Sequence, residues 1–242
     1  MLKASAQIFL ACLPPTGVII SPTIAHHRRR EFMKSTFTKI LDASEKQFAL
    51  YGVEGVSLRQ IIAAAGVSQG SLHYHFGGKE GLLEAILERC LPPLMDERAA
   101  MLTALAEAGR EPSVRELLGV IVLPLARRFI EGGAAGKRTV FLLARLYHEQ
   151  NAIYLRATEK YFRQIEFTYL KKLQAALPAL SRRQVELRVQ ISSGAVFATL
   201  IGLERTPLPW QTELSEDPLS AWQTVEELMD FLAQGLQSDQ GR

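Results

Sequence analysis

From Ser35 onward, apolar residues recur at three- and four-residue steps, and no convincing two-residue strand period interrupts them. Phe37, Ile40, Leu41, Ser44, Phe48 and Tyr51 mark one amphipathic face, which Gly52 can end. In "VSLRQIIAAAG" Ser57 is a good N-cap and Gln60 completes a capping box, while Val56 and Ile61 are spaced as a hydrophobic staple. Gly66 can take the left-handed conformation that closes this helix. The device repeats at once, with Ser68 as cap and Val67 and Leu72 as staple. Two short stapled helices around a glycine-containing turn have the local grammar of a helix-turn-helix.

Farther on, Lys79 to Leu91 is amphipathic through Leu82, Leu83, Ile86 and Leu87, and Pro92-Pro93 is expected to bend or break it. A further apolar stretch reaches about Ala108. Ser113 with Glu116 caps the next helix, which Pro124 can kink and Gly132-Gly133 ends. Helices follow over about 139–150 and about 152–176. Ser181 with Gln184 caps another that reaches about Arg205, and after "TPLPWQTELSEDP" a last one covers about 219–236. The expectation is an all-α fold of about nine or ten helices, with an N-terminal three-helix unit over 34–80 and a larger helical body over 81–242.

Residues 1–33 read differently. "FLACLPPTGVIISPTIAHHRRREFM" has prolines, no helical period and a basic cluster that follows its apolar part, the reverse of a secretory signal. Three readings stand: a start called too early, with Met33 the true initiator; a disordered basic arm that helps hold DNA; or a structured element.

Composition changes the picture little. The 242 residues, 48% apolar and 22% charged, suit a globular chain with a real core. No apolar run approaches the roughly 18 residues of a membrane span. Two cysteines, Cys12 and Cys90, make no disulfide framework and no metal spacing, which fits a reducing cytoplasm. The distribution of charge says more than its total of +3. Residues 1–80 carry nine Lys/Arg against five Asp/Glu, whereas residues 81–242 carry 19 against 20. A basic first third on a near-neutral body suits a polyanionic partner for that third.

The segment "GVSQGSLHYHFGGKEGLL", residues 66–83, concentrates the candidate chemistry. On a helical wheel Leu72 and Phe76 point together into a core, and Gly70, Ser71, His73 and Tyr74 point away. A helix in the major groove reads bases from its N-terminal turn and grips phosphates with hydroxyls, imidazoles and lysines. Gln69 can pair bidentately with adenine, Ser71 suits a base or a phosphate, and Gly70 allows close approach. Lys79 sits where its charge opposes a helix dipole and so asks for an anion. The residues alone also admit a structural turn, with Ser68 merely a cap and His73 and His75 ordinary surface or half-buried histidines. A metal site there is not expected, because residues two apart on a helix diverge.

The stretch "TKILDASEKQFALYGVEGVSLRQIIAAAGVSQGSLHYHFGGKEGLLEAIL" resembles the DNA-binding domain of the tetracycline-repressor (TetR) family of bacterial transcription regulators. The run G-V-S-x-G-[ST]-L, then H-F and K-E-x-L-L, carries the resemblance without a gap. It implies base or backbone contacts from Arg59, Gln69, Gly70, Ser71, His73, Tyr74 and His75, and a phosphate contact from Lys79. The chain departs from the family in having His73 where tyrosine is common, with Tyr74 one place later, and Gly78 where serine or asparagine is frequent.

The resemblance further implies that the remaining helices bind a small ligand and dimerise. "LPALSRRQVELRVQISSGAVFATLIGLER" and the last helix would form a homodimer bundle, with Ser192, Ser193, Gly194, Ala195 and Ala198 allowing close approach; one more core helix of a monomer is the other reading. A two-fold dimer would meet a palindromic operator in double-stranded DNA. For the ligand the aromatic stretch 129–169 is the candidate, with Phe129, Phe141, Tyr147, Tyr154, Tyr161, Phe162 and Tyr169 as walls and Arg145 and His148 as orienting polar groups, although such aromatics also serve as plain core. Loose similarity to fatty-acid- and multidrug-responsive members implies an apolar effector. No phosphate loop, metal quartet or nucleophile motif is present, and the His148-Glu149 pair lacks a zincin's second histidine. The expectation is therefore a cytoplasmic, ligand-released repressor, not an enzyme, with no cofactor and no metal. The alternative is an activator, or a helical interaction module that keeps the fold alone.

Overall fold

The computed structural model describes residues 22–204 and 218–238. The first 21 residues, with Cys12, and the proline-bearing loop before the last helix lie outside the described residues. Nine helices and no strand are found among the described residues: α1 Pro22–Tyr51, α2 Leu58–Ala65, α3 Gln69–Phe76, α4 Lys79–Glu107, α5 Val114–Glu131, α6 Gly133–His148, α7 Ala152–Ala176, α8 Arg182–Gly202 and α9 Pro218–Gln237.

The chain divides into two units, residues 1–38 and 39–242. In the first unit, the described part is the opening of α1, which begins at Pro22 rather than near Ser35. The reason is local. Proline suits a helix's first turn, and no glycine or further proline occurs between Thr23 and Lys34.

In the second unit the short helices form as the capping signals require. Ser57 accepts from the Gln60 amide, and the Ser57 amide donates to the Gln60 side chain at 2.8 Å. Gly66 closes α2 at φ 64°, and the Val67 amide reaches back to the Ile62 carbonyl at 3.3 Å. The staple residues Val56 and Ile61 are buried, as is Leu72 under α3.

Helix α4 departs from expectation. It runs unbroken for 29 residues, with Pro92 and Pro93 inside it. Each proline removes one backbone donor, but Leu91, Leu94 and Met95 are buried around them, so packing holds both halves in one helix. The expected helix from about residue 139 starts earlier, at Gly133, directly after the Gly132 cap of α5.

Helix α5 is the centre of the body, touching α4, α6, α7, α8 and α9. It is apolar nearly all round, with Leu117, Val120, Val122, Leu125, Ala126 and Phe129 buried. Helix α9 lies along it, tied by Arg115 of α5 to Glu226 and, at 2.6 Å, to Asp230. Helix α7 packs against α4. Arg188 of α8 donates to the carbonyls of Gly235, Leu236 and Ser238, closing the C-terminus of α9. No helix among the described residues is long and apolar enough to cross a membrane.

Candidate nucleic-acid interface and buried cavity

The outer face of α3 is built by burying its opposite face. Leu72 is wholly inaccessible and Phe76 nearly so, which fixes the rotation of the helix and leaves Gln69, Gly70, His73 and Tyr74 exposed. Tyr74 is 75% exposed, and its ring meets the edge of His75 at 5.2 Å. A Cβ on Gly70 would meet nothing closer than the Ser68 hydroxyl at 3.9 Å, so the fold itself does not require glycine there. Arg59 stands exposed on the first turn of α2.

Three of the expected contact residues, Ser71, His73 and Lys79, are engaged locally. The Ser71 amide donates to the Ser68 hydroxyl oxygen at 3.2 Å, and the two hydroxyls lie 2.9 Å apart. His73 Nδ1 lies 3.0 Å from the Gly77 carbonyl, which only accepts, so Nδ1 carries the proton. The outward Nε2 of a neutral ring is then an acceptor, suited to a base amino group, and it grips phosphate only when protonated. Lys79 Nζ donates to the Val53 carbonyl at 3.0 Å and stands 3.7 Å from Glu54, so it clips the α1–α2 loop to the start of α4. An ammonium has three donors, so this bond leaves capacity for a phosphate. His75 is half-buried between Tyr74 and Phe76.

The turn into α4 depends on Gly81, which the capping and periodicity signals do not single out. A Cβ there would stand 2.0 Å from the Phe76 carbonyl oxygen, so α3 and α4 approach as they do only over glycine.

A buried polar node ties this head to the body. Glu45 of α1 is almost wholly buried, accepts from Thr139 of α6 at 2.5 Å and pairs with Arg89 of α4. Arg89 also reaches Asp42 at 2.6 Å. Burial is the largest single influence on the Arg89 guanidinium and opposes its charge, but the two carboxylates together outweigh it and hold the group in its charged form. One helix, α4, thus carries the Lys79 clip, the Arg89 node and, farther on, a cavity.

That cavity, about 40 Å³, lies among α4, α5, α6, α7 and α8, with Met95, Arg98, Leu125, Tyr154, Phe162 and Phe197 among its walls. Of the residues read from the sequence as a ligand site, Tyr154, Tyr161 and Phe162 line it, and Phe129, Phe141, Tyr147, Tyr169, Arg145 and His148 do not. Phe129 is buried against Phe141, at 5.9 Å between ring centres. Arg145 turns the other way, donating to the Leu50 carbonyl at 3.3 Å, and His148 is exposed at the end of α6. The face of α6 that carries Arg145 lies toward α1, which is why Arg145 does not reach the cavity. The charged group among the cavity's described lining residues is instead Arg98, with the hydroxyl-bearing Tyr154, Thr158 and Tyr161 beside it. Its signal was present as a charge on the apolar stripe Leu91, Leu94, Met95 and Leu102. Among the described residues no group of three or more His, Cys, Asp or Glu is placed to hold a metal.

Comparison with known proteins gives two family matches. "Bacterial regulatory proteins, tetR family" matches residues 40–86, and "Tetracyclin repressor-like, C-terminal domain" matches residues 119–235. The chain is 31% identical over 99 residues to the uncharacterized HTH-type transcriptional regulator TtgW of Pseudomonas putida, covering 37% of this chain and 74% of that one. It is 52% identical over 52 residues to the HTH-type transcriptional regulator LmrA of Bacillus subtilis, covering 21% of this chain and 28% of LmrA. In fold it is similar to the fatty acid degradation regulator FadR from Bacillus halodurans, with a TM-score of 0.55 at 15% identity, covering 85% of this chain and 97% of that one. AmtR from Mycobacterium smegmatis gives 0.51 at 18% identity, covering 80% and 84%.

Proposed function

The chain belongs to the tetR family of bacterial regulatory proteins, DNA-binding regulators of transcription, and from that premise we propose that it is a repressor that binds a palindromic operator as a homodimer and is released by a small, largely apolar ligand. The observation that carries the DNA-reading part is the outward face of α3, where Gln69, Gly70, His73 and Tyr74 are exposed over buried Leu72 and Phe76. Gln69 reads adenine, Tyr74 and Ser71 meet backbone or base, and Arg59 and the spare donors of Lys79 neutralise phosphate. His75 supports Tyr74 from beside it.

Support for the dimer comes from an apolar face that this chain leaves open. Leu187 and Ile191 of α8 are 54% and 60% exposed, and Gly194 and Ala198 continue the same face at helical spacing. Phe231 of α9 is 73% exposed. Ser192 turns into the core instead and takes no part in this face. Two reading heads then meet half-sites about one helical turn (~34 Å) apart.

Release is a matter of α4. A ligand that parts α4 from α5 at the cavity moves the same helix that holds Glu45 through Arg89 and the loop through Lys79. To swing the population from 1:99 to 99:1 the ligand must favour the released state by about 5.5 kcal/mol.

The test is selection of bound fragments from a random duplex library, followed by fluorescence anisotropy at two salt concentrations. A palindromic winner with a steep salt slope supports the proposal. Absence of any enriched sequence removes the reading head from α3.

A further inference from the structure

We propose that Arg98 recognises the carboxylate of a small apolar monocarboxylic acid, whose headgroup enters the buried cavity and whose body runs out between Met95 and Tyr161 into the groove between α4 and α7. This rests on reading the chain as a ligand-controlled regulator.

Arg98 is only 5% exposed. No Asp or Glu pairs with it among the described residues. Burial lowers its pKa to about 10, with the Tyr154 and Tyr169 hydroxyls as its electrostatic neighbours, so it remains a cation at neutral pH. One donor is used: Nη2 reaches the Ile121 carbonyl at 3.1 Å, one turn before Pro124 interrupts the bonding of α5. The Phe162 ring lies 5.1 Å from the guanidinium carbon. Among the described residues the Nε hydrogen has no partner.

A buried charge is normally paired, and a buried donor normally bonded, because each costs several kcal/mol otherwise. As mere core filling, methionine or leucine would serve this position better. An arginine placed here, on the wall of a cavity and with most of its five N–H donors unspent, calls for an anion that comes and goes.

Size and charge narrow the anion. The cavity's 40 Å³ compares with roughly 10–15 Å³ for one water on the same measure, which is room for a headgroup and not for a whole ligand. A single guanidinium neutralises a single charge, which suits a carboxylate over a phosphate dianion. The rest of the molecule has a place outside. A groove of about 530 Å³ adjoins the cavity, and Met95 and Tyr161 line both. Ala99, Leu102 and Ile165 give that groove an apolar floor. Met95 is unbranched and can swing aside, which makes it a suitable door. A carboxylate that draws the guanidinium from Ile121 would loosen α4 from α5, the movement that release requires.

The experiment titrates the full-length protein with octanoate and, separately, with octanol, by calorimetry and by melting temperature. The wild-type chain should bind octanoate about 10-fold or more tightly than octanol. Arg98→Met should lose that preference while melting at the same or a higher temperature, since an apolar isostere replaces an unpaired buried charge. Ala99→Trp fills the outer groove without touching the guanidinium and should weaken octanoate binding, which keeps the proposal testable if Arg98→Met fails to fold. Equal binding of acid and alcohol, binding of neither, or an Arg98→Met chain that still prefers the acid overturns the proposal. DNA anisotropy on the same preparations separates the two readings. A chain that binds its selected duplex but not octanoate loses only this site, whereas one that binds octanoate and selects no duplex loses only the regulator.

Discussion

Tyr74 and Leu72 are two residues apart on α3 and face opposite fates on substitution. Tyr74 touches little of its own chain, so Tyr74→Ala should change folding stability by less than about 0.5 kcal/mol. Its loss should still weaken specific DNA binding by about 1–3 kcal/mol, read by anisotropy on the selected duplex. Leu72 is wholly buried, and Leu72→Ala should cost about 2–5 kcal/mol of folding free energy in denaturant titration. Operator binding would fail in that variant as well, because the platform goes with the core. Unchanged DNA affinity in Tyr74→Ala would show that α3 does not read through this side chain. The division between the two residues was legible from a helical wheel alone. The local engagement of His73 with Gly77 and of Lys79 with Val53 was not, because both depend on where the chain turns next.

Whole elements here are held by their ends. The cap of α5 joins Ser113, Glu116 and Arg110: Arg110 donates to Glu116 at 2.5 Å, and the Ser113 amide donates to it at 2.8 Å. The Arg110 guanidinium first, and the Ser113 amide and hydroxyl next, lower the Glu116 pKa from 4.5 to about 2. The folded carboxyl therefore binds its proton less readily than the unfolded one. The contribution of this cap is complete above the ordinary carboxylate range and fades as pH falls toward about 2. Glu116→Gln should flatten that part of the pH–stability curve in thermal melts, by a small amount because the group is exposed. At the α3–α4 junction, Gly81→Ala sets a Cβ against the Phe76 carbonyl and should cost about 1–3 kcal/mol of stability. It should also lower operator affinity, since relief requires α3 to move relative to α4. An alanine variant with native affinity would mean that this junction does not set the reading angle.

At the scale of the molecule, the proposed repressor needs two heads held at a fixed distance. Ile191→Glu places a charge on the open face of α8 without disturbing the core beneath it. The variant should run as a monomer in light scattering and bind the operator about 100-fold or more weakly, because the second head no longer arrives by an intramolecular step. A dimer that survives this change would move the interface elsewhere. Against salt, the wild-type dimer should lose affinity with a slope of about −0.9 for each phosphate neutralised.

Local features of this chain follow from residue order alone. Caps at Ser57, Ser68, Ser113 and Ser181, the staples, the glycine at position 66 and the amphipathic periods stated the helices, their order and the outward face of α3, because each follows from contacts within a few residues. Packing in three dimensions settled the rest. It carried α4 through Pro92 and Pro93, since buried neighbours on both sides outweigh the lost backbone bonds. It turned Arg145 toward Leu50 and away from the cavity, and it set Arg98 among Tyr154, Phe162 and Ile121, which are brought together only by helix packing. Helical periodicity shows which residues share a face of one helix. Which helix that face meets is set by the burial of the whole core.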